Sequence, residues 1–282
     1  MNPSEWFTEQ VPGAESAFSL KIKQKLHEEQ SEFQHLEIYE TETFGNLMVI
    51  DGCTMVSTRD NFFYHEMMSH PALFTHPEPK RVWIIGGGDC GTLREVLKHP
   101  SVEHAVQIDI DERVTRLAEI YFPELCESNN DPRAELKFID GIKWVKDAAP
   151  DSVDIIIVDS TDPIGPALGL FSEDFYRDCF NCLSENGMIV QQSESALFNM
   201  KLIGEMRNAM STSGFGHLQT LFFPQCLYPS GWWSATIASK TDLTSFREQA
   251  SANKPFETIY YNIDIHKASL AQPEFFKKAF AL

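Results

Sequence analysis

A chain of 282 residues can hold one large domain, or one with a small appendage, around a substantial buried core. Its 43% hydrophobic and 12% aromatic content is that of a globular protein. No apolar run reaches the roughly 18 residues needed to cross a bilayer, and no leader pattern is present, so a cytoplasmic protein is expected. Asp and Glu number 41 against 23 Lys and Arg, and the formal charge of −18 argues against nucleic acid and membranes as partners while suiting a cationic small molecule.

Short strand-like pieces fill the first sixty residues: Glu37 to Thr41, then Leu47 to Gly52, separated by turn signals at Gly45-Asn46 and Asp51-Gly52. The expected division is a small antiparallel β-hairpin domain over 1–62 and an α/β domain over 63–282. From Asn61 to about His70 the apolar spacing is helical (Phe62, Phe63, Met67, Met68), and Pro71 is expected to close the helix. His65, Glu66 and His70 suggest a metal, but the zinc-protease pattern needs its second His four residues after the first. Ser69 stands there, so no metal site is expected.

Arg81-Val-Trp-Ile-Ile85 reads as a buried strand, Gly86-Gly-Gly-Asp-Cys-Gly91 as a turn, and Thr92 to Leu97 as a helix. This places a G-x-G-x-x-G pattern between strand and helix, its dinucleotide-binding context. The next strand, Ala105 to Ile108, ends in Asp109, about twenty residues on, where a carboxylate can accept from both hydroxyls of a ribose. A helix from Val114 leads to the strand Leu136 to Ile139, which ends in Asp140-Gly141, well placed for an adenine edge. The apolar run Ile155 to Val158 has the look of a parallel strand buried on both faces. It stops at Asp159, before Ser-Thr-Asp162-Pro-Ile-Gly-Pro166, so two carboxylates stand at the carboxyl end of a central strand, where open α/β sheets bind ligands. Gly187 to Val190 with Gln191-Gln192, a helix over Leu202 to Met210, and strands over Leu218 to Phe223 and Trp233 to Ala238 complete an alternating order. Ile259 to His266 reads as one more strand. Six scattered cysteines, Cys179 and Cys182 included, read as reduced core thiols.

Two classes of ligand carry adenosine. A pyrophosphate on the helix start would be repelled by Asp89 inside the glycine turn, whereas a sulfonium carries positive charge and no phosphate. The residues therefore favour an S-adenosyl compound over a nicotinamide cofactor.

The stretches Phe33-Gln34, Tyr64-His-Glu-Met-Met68, Gly86 to Val96, Asp159 to Pro166, Leu170-Phe171 and Tyr228-Pro-Ser-Gly231 resemble polyamine aminopropyltransferases, specifically spermidine synthases, over nearly the whole chain. The resemblance implies a Rossmann-like, methyltransferase-type seven-stranded sheet with a small N-terminal antiparallel β domain, in a homodimer or homotetramer. It also implies transfer of an aminopropyl group from decarboxylated S-adenosylmethionine, a co-substrate rather than a resident cofactor, to putrescine. By the same resemblance Gln34 and Asp109 would hold the ribose region, Asp140 and Gly141 the adenine, and Asp89 the donor's terminal amine. Pro166 would belong to the closing loop. Tyr64, Asp162 and Tyr228 would line the putrescine channel, with His65 and Gln192 as further contacts and Asp159 as proton acceptor or hydrogen-bond partner of the attacking nitrogen. No metal is required, because the sulfonium leaves as a neutral thioether.

The chain departs from the family's usual residues at Met55 (more often Gln), Thr58 and Asn61 (Glu), Cys90 (Gly) and Cys226 (Pro), and Trp232-Trp233 is bulkier than expected. These differences bear on donor affinity and acceptor choice (cadaverine, agmatine or spermidine) more than on reaction type. Two rival readings are a putrescine N-methyltransferase, against which Asp89 argues, and a catalytically silent polyamine-binding protein, against which the intact acids and tyrosines argue.

Overall fold

A computed structural model of the protein describes residues 5–161 and 165–280. The chain opens with a five-stranded antiparallel meander: β1 (Trp6–Val11), β2 (Ser16–Gln30), β3 (His35–Thr41), β4 (Asn46–Ile50) and β5 (Cys53–Ser57), in that spatial order. Asp51 and Gly52, both at positive φ, make the tight turn between the last two strands. The meander is larger than the short pieces read from sequence. β2 alone runs 15 residues, and Phe18, Leu20 and Ile22 pack their shared face into the same cluster as Phe7 of β1.

Helix α1 (Asn61–Thr75) crosses Pro71 rather than stopping there. A mid-helix proline forfeits one hydrogen bond and costs roughly 3 kcal/mol. Ala72, Leu73 and Phe74 beyond it join Met67 and Met68 in the main core, and their burial offsets that cost.

The second sheet follows: β6 (Arg81–Gly86), α2 (Gly91–Leu97), β7 (His104–Asp109), α3 (Glu112–Tyr121), β8 (Ala134–Phe138), α4 (Gly141–Lys146) and β9 (Val153–Asp159). After a 3-10 turn (Gly165–Phe171) come α5 (Glu173–Cys182), β10 (Leu183–Gln192), α6 (Met200–Thr212), β11 (His217–Pro224) and β12 (Trp232–Ser239). Three short helices end the described chain: α7 (Glu248–Ala252), α8 (Ile263–Ser269) and α9 (Glu274–Phe280). The seven strands lie in the order β11-β12-β10-β9-β6-β7-β8, parallel from β8 to β10 and antiparallel at β12 and β11. The fold is thus Rossmann-like α/β with an antiparallel β domain ahead of it.

Strand β9 sits in the middle, and its alternation feeds two cores. Ile155 and Ile157 pack with residues of α1 and α2 on one face, while Ile156 and Val158 pack with Phe175, Tyr176 and Cys179 of α5 on the other. All six cysteines are free thiols. The stretch after Glu257 is not a strand. Ile259, Tyr260 and Tyr261 give their backbone N–H groups to the Glu66 carboxylate of α1, at 2.7, 2.9 and 2.7 Å, and α8 begins directly after. Those donors are satisfied by one side chain instead of a neighbouring strand.

Candidate active site

Strands β6 and β9 run side by side, so that Gly86 pairs with Asp159 and the glycine turn meets the strand-end acid. Gly86 has φ +85°, and a Cβ there would lie 2.2 Å from the Asp159 carbonyl oxygen, so only glycine fits. Cys90 closes the turn in the left-handed region, φ 69°, an uncommon conformation for a residue with a Cβ. Its backbone carbonyl accepts from Arg94 N–H, and its thiol points at Gly88 O.

Asp89 and Asp159 face the same cleft with different partners. Asp89 accepts from Gly91 N–H at 2.8 Å through Oδ1, and its Oδ2 lies 3.2 Å from His65 Nε2. Burial works against the Asp89 carboxylate, but the His65 ring and the Gly91 N–H outweigh it and hold its pKa below the usual value. His65 is raised in turn: burial disfavours its charge, and the Asp89 carboxylate more than restores it. Asp159 accepts from Tyr64 OH at 2.8 Å (Oδ1) and from Thr92 Oγ1 at 2.6 Å (Oδ2). Burial and the nearby Asp89 charge push its pKa up, against those two donors. Burial, then Asp159, drives the Tyr64 phenol well above its ordinary value.

Along the cleft from these acids lie Asp109 and Gln34. Asp109 is pushed up to about 6, chiefly by burial. Gln34 donates to Asp111 Oδ2 at 3.1 Å, and the Asp111 N–H in turn donates to Asp109, so a loop of the antiparallel sheet is tied to the end of β7. Asp140, also on the cleft, caps α4, accepting Ile142 N–H at 2.9 Å, beside Gly141. The cleft is lined by Gln34, Tyr64, Asp89, Asp109, Asp140, Gly141, Asp159 and Tyr228 among others.

A smaller pocket opens off it past Met55, Tyr64, Ser160, Thr161 and Tyr228, and adds Glu9, Gln192 and Trp233. Tyr64 and Tyr228 meet edge to face at 5.9 Å, and Tyr228 OH donates to Met55 O at 2.9 Å. Trp233 packs edge-on to Tyr228 at 4.6 Å and lines this pocket, whereas Trp232 stacks on Phe222 away from it.

Nine of the residues singled out in sequence therefore converge here: Gln34, Tyr64, Asp89, Asp109, Asp140, Gly141, Asp159, Gln192 and Tyr228. His65 does not line either space. It stands behind Asp89, 2% exposed, against Gly91, where a Cβ would fall 2.1 Å from its ring. Asp162 and the Pro166 side chain lie outside the described residues. His65, Glu66 and His70 point three ways, to Asp89, to the chain after Glu257 and to His99, and form no ligand cluster. Sequence reasoning missed Glu9, Thr92 and Glu194. Glu9 shares the inward face of β1 with Phe7, and an acid in that alternation was its signal. Glu194, 2% exposed and at φ 62°, is bonded to Gln192 and Asn199.

A spermine/spermidine synthase domain matches residues 61–248, and a spermidine synthase tetramerisation domain matches residues 5–57. A polyamine aminopropyltransferase of Methylococcus capsulatus is 68% identical over 98% of this chain and 96% of its own length. One of Nitrosococcus oceani is 60% identical over 99% and 98%. A crystal structure of a spermidine synthase in complex with the transition-state analogue AdoDATO superposes with TM-score 0.94 at 36% identity, covering 98% of this chain and 94% of that one. Spermidine synthase from Thermotoga maritima gives TM-score 0.93 at the same identity and coverage. With its fold, its acid-lined cleft and these relatives in agreement, the chain belongs to the spermine/spermidine synthase family and is a polyamine aminopropyltransferase.

Proposed function

We propose that the protein is a spermidine synthase: it moves the aminopropyl group of decarboxylated S-adenosylmethionine to putrescine, releasing spermidine and 5′-methylthioadenosine. The observation that carries this reading is the meeting of the acid-lined cleft and a smaller side pocket at Tyr64, whose hydroxyl donates to Asp159 in the cleft. In this reading the donor occupies the cleft, with adenine by Asp140 and Gly141 and ribose by Asp109 and Gln34. Its terminal ammonium pairs with Asp89, which the His65 ring keeps ionised. Putrescine lies in the side pocket, between Tyr64, Tyr228 and Gln192, with its distal ammonium toward Glu9.

The acceptor nitrogen attacks the carbon next to sulfur in line, and the sulfonium departs as a neutral thioether. That nitrogen must first lose a proton. An amine of pKa about 10.4 is neutral in only about one molecule in 2,500 at pH 7, a handicap near 4.6 kcal/mol. Asp159 is the catalytic residue for this step. Its raised pKa suits it better to take the proton than an ordinary carboxylate, and its fixed orientation holds the nitrogen on line. The family's tetramerisation domain supports a homo-oligomer, a dimer or tetramer, which light scattering will size.

The test is a mass-resolved product assay with putrescine and either the decarboxylated donor or S-adenosylmethionine. Spermidine and methylthioadenosine from the decarboxylated donor alone are expected, and Asp159→Asn should lose at least a hundredfold in turnover. N-methylputrescine, or unaltered turnover in Asp159→Asn, would refute the reading or its catalytic assignment respectively.

A further inference from the structure

We infer that Thr92, in the first turn of α2, is a positioning residue for the transfer: its hydroxyl locks the Asp159 carboxylate in the plane from which it takes the acceptor's proton. This rests on the assignment of Asp159 above. Thr92 is fully buried, and its Oγ1 stands 2.6 Å from Asp159 Oδ2, while Tyr64 OH holds Oδ1 at 2.8 Å. An ionised carboxylate has about four acceptor sites. One donor on each oxygen stops the group rotating and still leaves a lone pair on each for an incoming amine. With Tyr64 alone the carboxylate would turn about its Cβ–Cγ bond.

The choice of donor matters as much as its position. Asp89 and Asp159 share a cleft, and a site with two carboxylates gains two functions when their surroundings push their proton affinities apart. Asp89 is paired with a ring that can carry positive charge and so serves as a standing anion. Asp159 receives two neutral hydroxyls, which orient it without cancelling its capacity to take a proton. A cation in place of Thr92 would orient the carboxylate and remove that capacity. Among the described residues, the other groups that act on Asp159 are His65 on α1, Asp89 in the glycine turn and Asp109 at the end of β7; Arg94 on α2 acts on the His65–Asp89 pair, and Tyr228, on the loop between β11 and β12, acts on Tyr64. All of these are unchanged when only the Thr92 hydroxyl is removed, so a shift can be read as the loss of one bond.

The experiment measures kcat against pH, at saturating putrescine and decarboxylated donor, for Thr92→Val, Thr92→Ser and Thr92→Ala. The acceptor amine titrates alike in every variant, so differences belong to Asp159. Thr92→Val and Thr92→Ala should move the acid limb up by about one pH unit and lower kcat on that limb about tenfold, as expected for loss of one hydrogen bond to a charged group. Thr92→Ser should follow the wild type, and the donor KM should hardly change. In an Asp159→Asn background Thr92→Val should cost nothing further. If Thr92→Val does not fold, the Ala and Ser pair carries the comparison. Profiles of Val or Ala that superimpose on wild type, a Ser variant shifted as far as Ala, or an undiminished loss in the Asp159→Asn background would each overturn the role of Thr92. Full turnover in Asp159→Asn alone would instead overturn the assignment of Asp159.

Discussion

At the end of β7, burial pushes Asp109 up to about 6, against the Asp111 N–H that favours its charged form. An empty site therefore holds a proton there in mildly acidic solution. On the proposed reading, a ribose offering two hydroxyls to Asp109, next to a sulfonium, favours the ionised form, so that proton leaves when the donor binds. Donor affinity should then be flat above pH 6 and fall by up to about tenfold per unit as pH drops below it. Calorimetric titration of the donor between pH 5 and 8 checks this, and Asp109→Asn should bind more weakly with that dependence gone. The position of Asp109 was legible in sequence, since a strand end some twenty residues past a glycine turn is a local feature. Its raised proton affinity was not, because it depends on what buries the carboxyl. The same holds for His65. Its neighbour Tyr64 lines the cleft, but only the packing of α1 against Gly91 turns the imidazole to the back of Asp89.

Helix α1 shows why elements are harder to bound than to detect. Its helical spacing is plain from Asn61, yet its end was misplaced at Pro71, because the burial that outweighs a proline lies in residues packed from elsewhere. The helix does three things along its length. Tyr64 faces the cleft, Glu66 fastens the chain after Glu257, and Met67 to Phe74 fill the core. The Glu66 carboxylate, 1% exposed, takes three backbone N–H groups, which no single amide oxygen can replace. Glu66→Gln should cost roughly 2–3 kcal/mol of stability, seen as a lower urea midpoint, with early loss of protection at Ile259–Tyr261 in hydrogen exchange. An unchanged midpoint would mean that the segment is held by its aromatic packing instead. That same fastening is why Ile259 to His266, which alternates like a strand, is not one.

Over the whole molecule the charge of −18 surrounds a cleft lined by Asp89, Asp109, Asp140 and Asp159. A field of that sign attracts cations, and it is screened over about 10 Å at 0.1 M salt. With saturating donor, kcat/KM for putrescine should fall several-fold between roughly 50 and 300 mM salt while kcat stays level. A flat kcat/KM would leave the acidity a matter of solubility alone. The two sheets also divide the work. The parallel sheet supplies the strand-end acids, and the antiparallel meander closes over them with Gln34, Met55 and Glu9.

From the order of residues alone one can read the alternating α/β scheme, the glycine turn and the acids at successive strand ends. Each is written in a few neighbouring positions, where period, turn chemistry and β-branched runs act locally. What only the tertiary structure decided are the contacts that give those acids different partners. Thr92 reaches Asp159 across 67 residues, Tyr64 reaches it across 95, and Glu66 holds Tyr261 across 195. Glu9 enters the side pocket from a strand where an acid within the alternation is its only local signal. Such pairs leave no periodic trace, because their partners are brought together by the packing of whole elements, and burial, which sets the proton affinities, is a property of that packing.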